Sequence, residues 1–281
     1  MLIKQYIILG NYSILYNFYR IKIILNCYFK VFIRYYRIMT VKKIIHSVSG
    51  IELVRRLANK GDRIFTTSHA RELASEISLS ESYVTQALFY LAKSGWVVRL
   101  RGGLYAIAST VPGVSPAHEF EIAMALVKPA AISHWSALHY HGLTDQAPRK
   151  VFVLTTNETD IPRIRGTKEK SVAGEYPVGD TYYRFIQVKP EKYFGIEKIW
   201  IGEARVNIMD PERTLLDGIA MPQYCGDFAE VLHAFEVRGK DLKLQRIIDY
   251  ALRLDVATAK RLGWILERQG IPLEELQPLM E

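Results

Sequence analysis

The sequence has only two cysteines, Cys27 and Cys225, in 281 residues. That excludes a framework of disulfides and fits a reducing cytoplasm. No HExxH pattern, paired-cysteine zinc motif, glycine-rich phosphate loop or nucleophile motif occurs, so the usual signatures of metalloenzymes and nucleotide-cradling enzymes are missing. Long apolar runs are scarce too. The longest near the start, Tyr6 to Tyr19, is interrupted by Asn11, Ser13 and Asn17. It falls short of the ~20 apolar residues that a membrane span requires. No small-residue cleavage site follows it, as a signal peptide would need.

Residues 1–38 lack Ala, Pro, Asp and Glu altogether and are crowded with Ile, Tyr, Asn, Phe and Lys. Those residue types share AT-rich codons, and Met39 stands where the composition changes. The reading is that Met39 is the start and 1–38 a translated upstream segment, a non-native or disordered leader; a membrane anchor is the rival. Charge is also unevenly placed. The chain carries +8 overall, with six Lys/Arg and no acids over 1–38, ten against five over 39–110, and 21 against 24 over 111–281. A basic stretch therefore precedes a mildly acidic remainder. An anionic partner is expected to be held mainly by residues 39–110, which are expected to bind it even as an isolated fragment.

What is present in that stretch is a pattern of three helices and a hairpin. Ser49-Gly50-Ile51-Glu52 has capping-box spacing, and Ile51, Val54, Leu57 and Ala58 form an apolar stripe ending near Gly61. A second segment, from about Thr67 to Ile77, places Ala70, Leu73, Ala74 and Ile77 on one face. After a break at Ser78-Leu79-Ser80, a third turns Val84, Ala87, Leu88 and Leu91 inward and stops at Gly95. "GWVVRLRGGLYAIA" (95–108) then alternates, pauses at Gly102-Gly103 and alternates again, which predicts a tight hairpin. Trp96, Val98 and Leu100 are expected on one face and Arg99 and Arg101 on the other, with Tyr105 and Ile107 returning to the core.

This order predicts a winged helix-turn-helix over residues 45–110. Its third helix would enter the major groove and the hairpin would serve as a wing. At 100° per residue Ser82, Gln86 and Lys93 point away from the core, with Thr85 at the flank. Ser, Thr and Gln suit base edges, whereas Lys93 and the hairpin arginines suit phosphates. Gly102 and Gly103 would let the tip approach the duplex. The DNA-binding set is thus Ser82, Thr85, Gln86, Lys93, Arg99, Arg101, Gly102 and Gly103. Phe89 also projects outward and is expected to pack on the hairpin or on the second domain.

"STVPGVSPAHEF" reads as a linker. Beyond it, helix-like segments near 118–127 and 133–141 precede β-rich runs at Val151–Thr155, Tyr182–Val188, Ile196–Ile201 and Ala204–Met209. From Asp210 the pattern is helical. This predicts an α+β fold: the winged helix, then a larger α+β domain over 117–281 with a small sheet and C-terminal helices. Three stretches, "AISHWSALHYHGLTDQAP" (131–148), "VNIMDPERTLLDGIA" (206–220) and "RLGWILERQG" (261–270), resemble the AbiEi antitoxin family of type IV toxin–antitoxin, phage-defence systems. The resemblance covers roughly residues 45–270. It implies a cytoplasmic DNA-binding repressor of its own operon, with operator DNA built from inverted repeats. It also implies a C-terminal domain that counters a nucleotidyltransferase-like toxin without a stable complex. A solitary regulator with no toxin neighbour has the same architecture.

An enzyme is the competing class. His118, His134, His139 and His141 lie close in sequence, but their spacing does not bring three imidazoles to one helix face. Asp217, seven residues after Asp210, could share its face in a paired-carboxylate Mg²⁺ site of a metal-dependent enzyme acting on nucleic acid or nucleotides, which loss of the Asp210, Glu212 and Asp217 side chains together would test. Helix capping by Asp210 before Pro211, and a salt bridge to Arg213 or a neighbour, account for the same residues. A binding protein without catalytic residues, metal or cofactor is the reading adopted. For the start site, the expected outcome is that mass spectrometry of the natively expressed protein finds no peptide upstream of Met39.

Overall fold

The computed structural model describes residues 49–77, 79–109, 111, 116–156, 161–162 and 175–280. The leader 1–38, the start at Met39, positions 45–48 and most of the linker lie outside these residues. The described chain is a mixed α+β structure with a small three-stranded sheet, a larger six-stranded sheet and C-terminal helices.

The first part holds helix α1, described over 49–59, then β1 (Ile64–Thr66), α2 (Thr67–Glu76), α3 (Glu81–Lys93), β2 (Val97–Arg101) and β3 (Leu104–Ile107). Strand β1 escaped the sequence pattern because three residues are too few to show alternation. The sheet order is β1-β3-β2, antiparallel throughout. Thr66 caps α2 by accepting from the His69 amide at 3.2 Å. Helix α3 ends in a Schellman arrangement: Gly95 takes φ +77° and the Trp96 amide reaches back to the Leu91 carbonyl at 2.9 Å. One capping expectation fails. Ser49 is already inside α1, and Glu52 is engaged by Arg55 and Arg56 rather than by the helix start. The buried stripe of α1 is accordingly Gly50, Leu53, Val54 and Leu57, while Ile51 is exposed.

The rest comprises α4 (Glu119–Leu126), β4 (Ala131–Ile132), α5 (His134–Tyr140), β5 (Lys150–Thr155), β6 (Glu175–Val178), β7 (Thr181–Gln187), β8 (Ile196–Ile201) and β9 (Ala204–Met209). Helices α6 (Pro211–Ala220), α7 (Phe228–Arg238), α8 (Leu244–Leu254), α9 (Val256–Arg268) and α10 (Leu273–Met280) follow. The sheet runs β6-β7-β5-β4-β9-β8, with β5–β7 and β4–β9 parallel and the other pairs antiparallel. It is two strands wider than the sequence suggested, since β4 and β6 are short. Alternation sorts its side chains. Val151, Val153, Tyr183, Phe185, Val206 and Ile208 feed one core, and Phe152, Leu154, Ile186 and Met209 feed another on the opposite face. A third core lies among α5–α10, built on Leu138, Leu215, Leu216, Phe235, Ile248 and Leu262.

The hairpin does not stand free between these bodies. Val97, Tyr105 and Ile107 pack with Phe65, Leu88 and Leu91 in the helical core, whereas Leu100, Leu104 and Ala106 pack with Phe120, Val153 and Val206 in the core of the larger sheet. The expected face assignment is therefore corrected: Val97, not Val98, is the buried valine. A bulge between Arg99 and Arg101 also breaks the alternation that would have put both arginines on one face. Arg99 lies opposite Tyr105, and Arg101 opposite Leu104. Polar ties reinforce the junction: Tyr176 Oη donates to the Leu100 carbonyl at 2.8 Å, and Arg63 meets Glu121 and Glu203 at 3.4 Å each. Cutting the chain at residue 110 strips Leu100, Leu104 and Ala106 of their partners, a cost the isolated fragment must bear.

Leu100→Ala should accordingly destabilise the whole protein, by about 2–4 kcal/mol as for other fully buried leucines. Denaturant unfolding followed by tryptophan fluorescence should show one shifted transition. A separate early transition confined to residues 49–109 would contradict the shared packing.

Candidate nucleic-acid interface

The outer face of α3 is built by subtraction. Val84, Ala87, Leu88 and Leu91 are buried against α1, α2 and the sheet, which leaves Ser82, Thr85, Gln86, Phe89 and Lys93 exposed on the far side. The expected placement of Ser82, Thr85, Gln86 and Lys93 holds. That of Phe89 does not: it stands 62% exposed, and its one ring neighbour among the described residues is Tyr90, edge-on at 5.6 Å.

The hairpin tip reaches this face through α2. Gly102 and Gly103 are exposed, and the Gly103 carbonyl accepts from the Thr67 amide at 2.9 Å. Gly103 needs its φ of +75°, which disfavours a side chain there. One turn along α2 from Thr67, Arg71 Nη2 donates to Thr85 Oγ1 at 3.3 Å. Gly103, Thr67, Arg71 and Thr85 thus form a connected polar row from the tip to the outer face of α3. The sequence did not single out Arg71. It lies fourteen positions from Thr85, and only the packing of α2 on α3 brings the two together.

Ion pairing distinguishes this surface from its surroundings. On α1 and its flank, Arg55 and Arg56 pair with Glu52, Arg56 and Lys60 with Glu76, and Arg63 with Glu121 and Glu203. Arg71, Lys93, Arg99 and Arg101 have no carboxylate partner among the described residues. The unneutralised cations of the small body therefore fall on α2, α3 and the hairpin. His69 adds to them. Its imidazole bonds to Asp62 at 2.8 Å and to Glu72 at 3.4 Å, and the Asp62 bond most of all holds its pKa above the ordinary value.

The second candidate set, in α5 and α6, is built differently. Asp210 caps α6, accepting from the Arg213 amide at 2.8 Å, and takes the Tyr250 hydroxyl at 3.0 Å. Glu212 is fully buried and accepts from Arg238 at 2.9 Å. Arg213, also buried, donates to Asp217 at 2.9 Å and to the carbonyls of Lys192 and Phe194, with its guanidinium over the Phe194 ring. The capping and salt-bridge expectations hold, and each carboxylate already has a donor partner. The histidines are scattered: His118 caps α4, His141 bonds to the Met209 carbonyl at 2.7 Å, His139 is exposed and His134 is buried. No group of three or more potential metal ligands gathers among the described residues. Packing does bring the stretches 131–148, 206–220 and 261–270 together, since His141 reaches β9 and Arg261 of α9 donates to the Ile219 carbonyl of α6 at 3.0 Å.

His134 is the strained member of this set. It adopts φ +49° at the start of α5, is wholly buried, and bonds through Nδ1 to Ser133 Oγ at 2.9 Å. Burial pushes its pKa down to about 4, with Arg213 reinforcing and Asp217 opposing the shift. A histidine kept neutral in this way stabilises the fold above its unfolded pKa near 6.5, and that contribution fades as the pH falls toward 4. A fall to about 4 is worth about 3 kcal/mol. Stability measured by urea unfolding should thus fall more steeply from pH 7 to pH 4.5 in the natural protein than in His134→Asn, whose side chain tolerates the same backbone conformation. His69 shifts the opposite way but is common to both proteins. Equal slopes would show that His134 is not buried neutral.

No protein-family model matches this sequence, and no curated protein does. Among solved structures, the RV2827C protein from Mycobacterium tuberculosis superimposes with a TM-score of 0.60 at 14% identity, over 83% of this chain and 81% of that one. That likeness is one of fold.

Proposed function

We propose that this chain is a sequence-specific DNA-binding regulator of the AbiEi antitoxin type. In this reading residues 45–110 act as a winged helix-turn-helix that represses the protein's own operon at inverted repeats. The remainder counters a nucleotidyltransferase-like toxin in the cytoplasm without a stable complex. The observation that carries the DNA-binding part is the placement of the unpaired cations. Lys93 stands on the outer face of α3, Arg71 bonds to Thr85 on that face, and Arg99 and Arg101 lie on the hairpin that follows α3. None of the four has a carboxylate partner among the described residues, while the basic residues of α1 and its flank are consumed by local acids. The β1-β3-β2 order, with two helices between β1 and β2, supports the same assignment. Helix α3 reads bases through Ser82, Thr85 and Gln86; Lys93 and the hairpin arginines hold phosphates, with Gly102 and Gly103 at the tip.

The antitoxin part rests on the three sequence stretches alone. A solitary regulator satisfies the DNA-binding surface equally well, and the adjacent gene separates the two. Asp210, Glu212 and Asp217 each accept from a neighbouring side chain, Tyr250, Arg238 and Arg213 respectively, which favours a structural role for them over the enzyme reading, although one oxygen each of Glu212 and Asp217 has no hydrogen-bond partner among the described residues. No helix among the described residues is long and apolar enough to cross a membrane.

Counterion release gives the test. Arg99→Ala or Arg101→Ala should weaken binding to all duplexes alike and reduce the salt slope by about one unit for each phosphate no longer neutralised. Gln86→Ala should cost about 1–3 kcal/mol on the preferred sequence and little on random DNA. Equal losses on both kinds of DNA from all three changes would overturn the division between reading helix and clamping hairpin.

A further inference from the structure

Phe89 occupies the centre of the α3 outer face, within the narrow arc shared by Ser82, Gln86 and Lys93. Of the other rings nearby, Phe65 and Tyr105 are buried in the helical core and Tyr83 and Trp96 are packed against it, while Tyr90, edge-on to Phe89 and off its arc, is 48% exposed and carries a hydroxyl. Phe89 alone on this arc is apolar, and it is 62% exposed.

Resting on the DNA-binding reading above, we propose that Phe89 is a specificity-determining residue that packs against the 5-methyl group of thymine in the major groove. Thymine is the only base that presents a methyl group there, and apolar side chains are its natural complement. The neighbours decide against a protein partner on this arc. Ser82, Gln86 and Lys93 would be dehydrated by an apolar protein surface, at a cost for each unpaired polar group, whereas base edges and phosphates offer all three a partner. Lys93 and the nearby unpaired arginines favour a polyanion in the same sense. The preferred duplex therefore carries thymine at the step facing the middle of α3, with hydrogen-bonding bases on either side.

The test uses the full chain and duplexes that it enriches from a random pool. Each thymine is replaced in turn by deoxyuridine, which removes the 5-methyl and leaves the hydrogen-bonding edges intact. At one or two positions the natural protein should lose affinity by about fourfold, the factor for burying one methyl-sized group. Phe89→Ala should lose a similar or larger factor on the thymine duplex and become indifferent to uracil at those positions; Phe89→Leu should retain part of the discrimination. A natural protein indifferent to every substitution would overturn the inference while leaving DNA binding intact. So would a Phe89→Ala protein that discriminates thymine from uracil as before. Loss of a dimer in Phe89→Ala, with no thymine dependence, would instead make this face an interface between two copies of the chain. A full chain that enriches no duplex would overturn the DNA-binding reading itself and this inference with it.

Discussion

Strand β3 buries all four of its residues, and they do not go to the same place. Tyr105 and Ile107 enter the core of the helical body; Leu104 and Ala106 enter the core beneath the larger sheet. A strand buried on both sides cannot slip by one residue without exchanging the contents of two cores. That constraint fixes the hairpin, and through the hairpin it fixes β1, the start of α2 and the end of α3. The glycines at the tip then have one position relative to α2, held by the Thr67 amide.

Charge is handled by separate rules in the two halves. In the helical body exposed acids and bases neutralise each other along α1, where each pair is worth little and mainly reduces net potential. In α6 the charges are interior. Arg213 and Glu212 are buried, and Asp217 almost so, with partners supplied by backbone carbonyls and by Arg238 from α7. Burying such charges is costly unless every one is matched, and their removal singly is far more damaging than replacement of the whole set. The dense acidic motif of the sequence is thus largely a device for joining α6 to the loop before β8 and to α7.

Much of this was legible beforehand because the signals were local. The helix periodicity of 67–77 and 81–93, the Gly95 stop, the Gly-Gly turn and the Asp210-Pro211 cap are written within a few residues each. What escaped depended on distant partners. Strands β1, β4 and β6 are too short to alternate visibly, and exist because neighbouring strands supply their hydrogen bonds. The reversal of Val97 and Val98 follows from which body each face of the hairpin meets. Arg71 joins the candidate surface only because α2 crosses α3. Phe89 is the opposite case: its outward direction follows from local periodicity, but the cover expected for an exposed ring is missing among the described residues.

Strand β2 lies at the outside of its sheet, and an outer strand is an open invitation for another chain to add itself. Here the invitation is withdrawn three times over. A bulge distorts the ladder near the tip, arginines flank it, and the Leu100 carbonyl is already claimed by the hydroxyl of Tyr176. Its backbone near the tip is thus poorly suited to templating amyloid-like growth or β-augmentation, and whatever approaches this rim meets arginine side chains before an open ladder.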